Sequence, residues 1–143
     1  MSDMTSLSHE YAASSDFARQ FNDAVLRLKK WQFAEPGIPA PSAKEVQEAR
    51  QRLVQALNDL AGRLEARGEM MQSLGIVIPT EVADRLISKH KNQMPYFVQD
   101  LHNATRDLEG QGQIDLPAMG TLDEICDAAD ASASASFRRL RRR

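Results

Sequence analysis

Apolar residues along this chain recur mostly at spacings of three and four, the mark of helices with one buried side. Phe17, Phe21, Ala24, Leu28 and Trp31 form the first such stripe. It predicts a helix that begins near Ser15 or Asp16, either of which can accept bonds from first-turn amides. Residues 1–14 are Ser-rich and keep no sustained period, so they read as a flexible arm. Pro36, Gly37, Pro39 and Pro41 end the helix, because proline has no amide to continue the ladder, and Glu35 to Pro41 reads as a stiff connector.

The second stripe is the longest. Ser42 and Glu45 stand at capping-box spacing, followed by Val46, Ala49, Leu53, Leu57, Leu60 and Leu64. A helix through to Arg67, with Gly68 as its stop, would be a rod of about 39 Å. Glu48–Arg52 and Asp59–Arg63 have the i,i+4 spacing of ion pairs that contribute only about 0.2–0.5 kcal/mol each. Glu69 to Leu74 either prolongs this helix or folds back as a loop. Ile76-Val77-Ile78 is β-branched but has no second strand to pair with, so it reads as an apolar linker plugged into a helical core. Thr80 is placed to cap a third helix carrying Val82, Ala83, Leu86 and Ile87, which weakens at Lys91-Asn92. Pro95 suits the first turn of a fourth, with Phe97, Leu101, Ala104 and Leu108 inside and Gly110 and Gly112 at its end. After a connector over 111–120, Thr121 and Glu124 repeat the capping-box spacing and predict a last helix.

The fold expected is therefore all-α: a small bundle of four to five helices with a Pro-rich connector and a basic C-terminal helix. The bundle spans residues 15–110, and residues 111–143 form the connector and terminal helix.

Composition narrows the class. With 143 residues, 42% hydrophobic, and 18 basic against 20 acidic side chains, the chain suits one globular domain and not wholesale disorder. No apolar run approaches the roughly 20 residues of a membrane helix, and residues 1–8 lack the basic start and apolar stretch of a secretory signal, so the mature chain is expected to begin here. The charge is uneven. Residues 1–136 hold 13 basic and 20 acidic groups, a net −7, whereas the last seven hold five arginines and no acid. Such a tip attracts anionic partners, or ends a helix with the sign its dipole prefers.

The inventory for catalysis is poor. His9, His90 and His102 lack the i,i+4 spacing of a helical metal site. Cys126 sits among Ile125, Ala128 and Ala129, as an inert packed thiol does. The acids Asp123 and Glu124 suit a helix start, and Gly110-Gln111-Gly112 has neither the strand before nor the Lys-Ser/Thr after of a phosphate loop. Trp31 and Phe33 beside Lys29-Lys30 could stack on bases, but Trp31 continues an apolar stripe and reads as core or interface. Met70-Met71 could line an adaptable binding surface but reads first as gap-filling core. No catalytic residue, metal, cofactor or small-molecule substrate is expected. The apolar faces point to protein partners.

Two resemblances sharpen that expectation. Ile76-Val77-Ile78-Pro79-Thr80-Glu81-Val82-Ala83-Asp84-Arg85-Leu86 resembles the conserved motif of Mediator subunit ten, a small helical subunit of a transcription coactivator. Phe97-Val98-Gln99 and Gly110 follow its later helix, while the family's hallmark is reduced to Asn92-Gln93-Met94-Pro95-Tyr96. The resemblance implies an assembly subunit in the nucleus that docks on its neighbours through Ile76, Ile78, Pro79, Val82 and Leu86. At the other end, residues 121–140 resemble the helix-turn-helix of bacterial AraC- and TetR-type regulators, with Asp130 in place of the turn glycine. That resemblance implies a DNA-binding regulator in which Ser132 caps a recognition helix, Ser134 and Ser136 approach bases, and Arg138, Arg139, Arg141, Arg142 and Arg143 contact phosphate. The same residues also read as one unbroken helix striped by Leu122, Cys126, Ala129, Ala133, Phe137 and Leu140. A small prokaryotic or viral adaptor in the cytoplasm is the third reading.

Overall fold

The computed structural model describes the backbone of residues 2–33, 37, 39–66, 78–110 and 112–141, and side chains within 14–33, 37, 39–66, 78–110 and 112–134. The described residues form five helices and no strand: α1 Ser2–Gln32, α2 Ala43–Ala66, α3 Thr80–Lys89, α4 Met94–Glu109 and α5 Leu116–Arg141. The all-α bundle expected from periodicity is the fold observed.

Local chemistry sets the boundaries. Ser42 caps α2, its Oγ accepting from the Glu45 amide at 3.2 Å and its carbonyl from Val46 at 3.0 Å. Gly37, in the connector before it, adopts φ +83°, a left-handed turn that a side chain would oppose. Pro95 lies in the first turn of α4, and Gly110 ends it.

Three starts differ from expectation. α1 begins at Ser2, so its helix includes residues 2–14, ahead of the start expected near Ser15 or Asp16. They contain neither glycine nor proline, and a helix already nucleated at residues 15–32 extends by adding one hydrogen bond per residue fixed. α5 begins at Leu116, five residues before Thr121. Asp115 is the cap: its Oδ1 accepts from the Ala118 amide and its carbonyl from Met119, both at 2.9 Å. Thr121 instead lies within the helix, its hydroxyl donating to the Pro117 carbonyl at 3.3 Å. Thr80 is the first residue of α3, where Pro79 holds the cap position. Gly68, Met70, Met71 and the segment through Val77 lie outside the described residues.

Apart from Trp31, which is exposed at the end of α1, the predicted stripes over described residues face one core. α1 and α5, the two longest helices, run antiparallel: Asn22 reaches Asp130 and Lys29 reaches Asp123. α4 lies antiparallel against α2, with His102 near Glu65 and Leu108 over Arg50. α3 closes the remaining side against α5 and α2. Phe21, Leu53, Leu57, Leu60, Leu101, Leu122 and Ile125 are fully buried. Burial of such side chains stabilises by about 1.5–3 kcal/mol each, which far exceeds the surface ion pairs.

Candidate interaction site

The docking element expected around Ile78 belongs to the interior. Ile78, Val82 and Leu86 are fully buried, and Pro79 is half-buried with its carbonyl accepting from the Val82 and Ala83 amides. The α3 stripe fills the space beside α2 and α5, so this chain's own helices cover it. Ile76 lies outside the described residues.

The helix-turn-helix is likewise replaced. α5 continues unbroken through Asp130, which the Asn22 side-chain amide holds at 2.9 and 3.1 Å. Ser132 is fully buried between helices and caps nothing, while Ser134 is exposed. Ser136, Arg138, Arg139 and Arg141 are backbone positions on α5 whose side chains lie outside the description, as do Arg142 and Arg143 altogether. The turn fails for a plain reason. Asp130 has no need of a left-handed backbone while its carboxylate has a partner on α1 and the helix can continue.

What the fold does assemble lies at the end of the bundle where α1 finishes. Arg50, on the second turn of α2, is 7% exposed. Its Nη1 donates to the Leu108 carbonyl at 3.2 Å and its Nη2 to the Gly112 carbonyl at 3.0 Å, so it holds the end of α4 and the following connector. The Trp31 ring covers it at 4.9 Å, a cation–π contact. Burial pulls the Arg50 pKa below its ordinary value. Gln32 completes the stitch: its Nε2 donates to the Ile114 carbonyl at 2.6 Å, and its Oε1 accepts from the Ile114 amide at 3.1 Å.

A furrow crosses this floor. One part, about 280 Å³, is lined by Trp31, Ala43, Val46, Gln47 and Arg50. The adjoining part, about 460 Å³, shares Gln47 and Arg50 and continues along Gln51, Val54 and Gln55 to Leu108. At the same end Trp31 is 39% exposed, Phe33 49% and Leu116 75%. Gln47, Gln51 and Gln55 were detectable in sequence as an i, i+4, i+8 row, a signal that a search for apolar periodicity passes over.

The remaining candidates do not converge. His90, the C-cap of α3, binds Glu124 of α5 at 2.5 Å and stacks on Phe97, while His102 lies near Glu65 at 3.4 Å. The two histidines thus pair with different helices, α5 and α2. The Cys126 thiol is pushed up to about 12 by burial, then by Asp123 and Asp130, with Lys29 opposing. It stays protonated and suits packing better than attack. Among the described residues no three of His, Cys, Asp and Glu are grouped to hold a metal ion, and no helix is long and apolar enough to cross a membrane. No protein-family model, curated protein or solved structure matches the chain.

Proposed function

We propose that this chain is a recognition module and not a catalyst, and that its furrow takes an extended polypeptide segment of a protein partner. The glutamine row carries the reading. Residues four apart on a helix rise about 6 Å, close to the roughly 6.6 Å two-residue repeat of an extended strand. Each glutamine amide both donates and accepts, as a strand's peptide groups do. Trp31 at one end supplies an aromatic face for an apolar partner side chain, and Trp and Arg are the residue types most often dominant at interfaces.

The narrower form of this proposal is an assembly subunit of a nuclear transcription coactivator, as the resemblance at residues 76–86 implies. Its docking surface is then the furrow, since Ile78, Val82 and Leu86 are internal. The test is affinity purification of the full chain from its native cell, comparing wild type with Trp31→Ala, Gln51→Ala and the control Leu26→Ala on another face. We expect both furrow variants to lose a direct polypeptide partner while Leu26→Ala keeps it, with all three melting cooperatively. Retention of every partner by Trp31→Ala and Gln51→Ala overturns the reading. Duplex DNA binding that survives Trp31→Ala but is lost on changing Arg138, Arg139 and Arg141 to Ala would replace it with a DNA-binding one.

A further inference from the structure

The outer line of α5 carries a charge pattern that complements itself. Ala118, Leu122, Ile125, Ala129 and Ser132 are buried against the bundle, whereas Asp127 and Ser134 are exposed on the other side and Asp130, also exposed, lies at the edge with its carboxylate bonded to Asn22 of α1. Helical periodicity continues that outer line from Asp127 through Ala131 and Ser134 to the register positions of Arg138 and Arg141. Acid lies on one side of Ser134 and arginine on the other, with the small residues Ala131 to Ser136 and then Phe137 between Asp130 and Arg138. The spacing is symmetric about Ser134: Asp127 and Arg141 are equally far from it, and so are Asp130 and Arg138.

We propose that two copies of this chain pair through the outer faces of α5, antiparallel about a two-fold axis at Ser134. Asp127 of each copy then meets Arg141 of the other, Asp130 meets Arg138, and symmetry forms each pair twice. The small residues at the crossing let the helix axes approach to about 8 Å. A parallel pairing sets like charge against like, so the pattern selects one orientation. It also disfavours nucleic acid on this face, because a phosphate backbone following α5 past the arginines runs onto Asp127 and Asp130. This surface is separate from the furrow, and the inference does not rest on it.

Sedimentation velocity of the full chain over a concentration series tests the proposal. We expect a reversible monomer–dimer equilibrium whose Kd rises about tenfold or more between low and near-molar salt. Arg141→Asp should weaken the dimer by at least about tenfold, since it makes two attractions repulsive. Asp127→Arg combined with Arg141→Asp should restore it. Within one chain these positions are about 21 Å apart along the helix, so only pairing between copies explains rescue. As a second readout, Ser134→Cys in a Cys126→Ser background should form a disulfide-linked dimer under mild oxidation, because a residue on the axis meets itself. A chain that stays monomeric at every concentration, a dimer indifferent to Arg141→Asp, or a charge-swapped double variant that stays monomeric overturns the proposal. Duplex DNA binding by a strictly monomeric chain does so as well.

Discussion

Arg63 and Arg50 lie on the same helix and are both buried, at 0% and 7% exposed, yet the bundle uses them in opposite ways. Arg63 is enclosed in the core. Burial pulls its pKa down, while Asp59, one turn earlier, and Asp84 of α3 oppose that pull. Arg50 answers to carbonyls. It donates to Leu108 and Gly112 and lies beneath a tryptophan that solvent still reaches. Charge met by charge inside a closed core suits a residue that fixes packing. Charge met by backbone dipoles at an open end suits one that holds a binding floor. The same side chain thus marks the sealed and the accessible parts of one helix.

The largest effect that can break this contrast is removal of a core charge. Asp59→Ala should destabilise the chain by about 3–5 kcal/mol, because a buried cation loses a counter-charge. Asp59→Leu with Arg63→Met should recover most of that loss in urea titrations. A small effect of the single variant would remove the distinction between the two arginines. Arg50→Met should cost less, about 2–3 kcal/mol, for two charge-assisted bonds and one ring contact. Its signature is local, a rise in hydrogen exchange concentrated at residues 108–115; a uniform rise would instead make Arg50 a core residue like Arg63.

The smallest effect at neutral pH sharpens the comparison with a group that stays uncharged there. Cys126 is held protonated to about 12 against an ordinary value of 9.0. Its folded pKa lies above its unfolded one, so its contribution is fully present below about 9 and is lost as pH rises toward about 12. Wild type should therefore lose more stability than Cys126→Ala across that window, and at neutral pH its thiol should alkylate much more slowly in the folded than in the denatured chain. Fast labelling in the folded state would contradict the burial of this thiol.

Punctuation explains which parts of the fold were legible in sequence. Ser42, Pro95 and Gly110 each mark a boundary by a bond they make or withhold: α2 begins, and α4 begins and ends, near where they indicate. Ser2 carries no such mark, and Asp115 was passed over because Thr121 and Glu124 imitate a start. Interaction residues were harder to read. The stripe of Ile78, Val82 and Leu86 records that something must cover it, but a partner and the chain's own α2 and α5 leave the same pattern. Arg50, Gln47 and Gln51 are polar, and only their placement beside Trp31 and Leu108, far away in sequence, gives them a shared surface.

The pairing of α1 with α5 has a temporal consequence. Lys29 and Asp123 are separated by 94 positions, and a ribosome adding about 5–20 residues per second needs roughly 5–20 s to bring the second out after the first. Throughout that interval Phe17, Phe21 and Leu28 are without the cover α5 later provides. Until α5 emerges, α2 is the earlier-made helix that can shield part of the apolar face of α1.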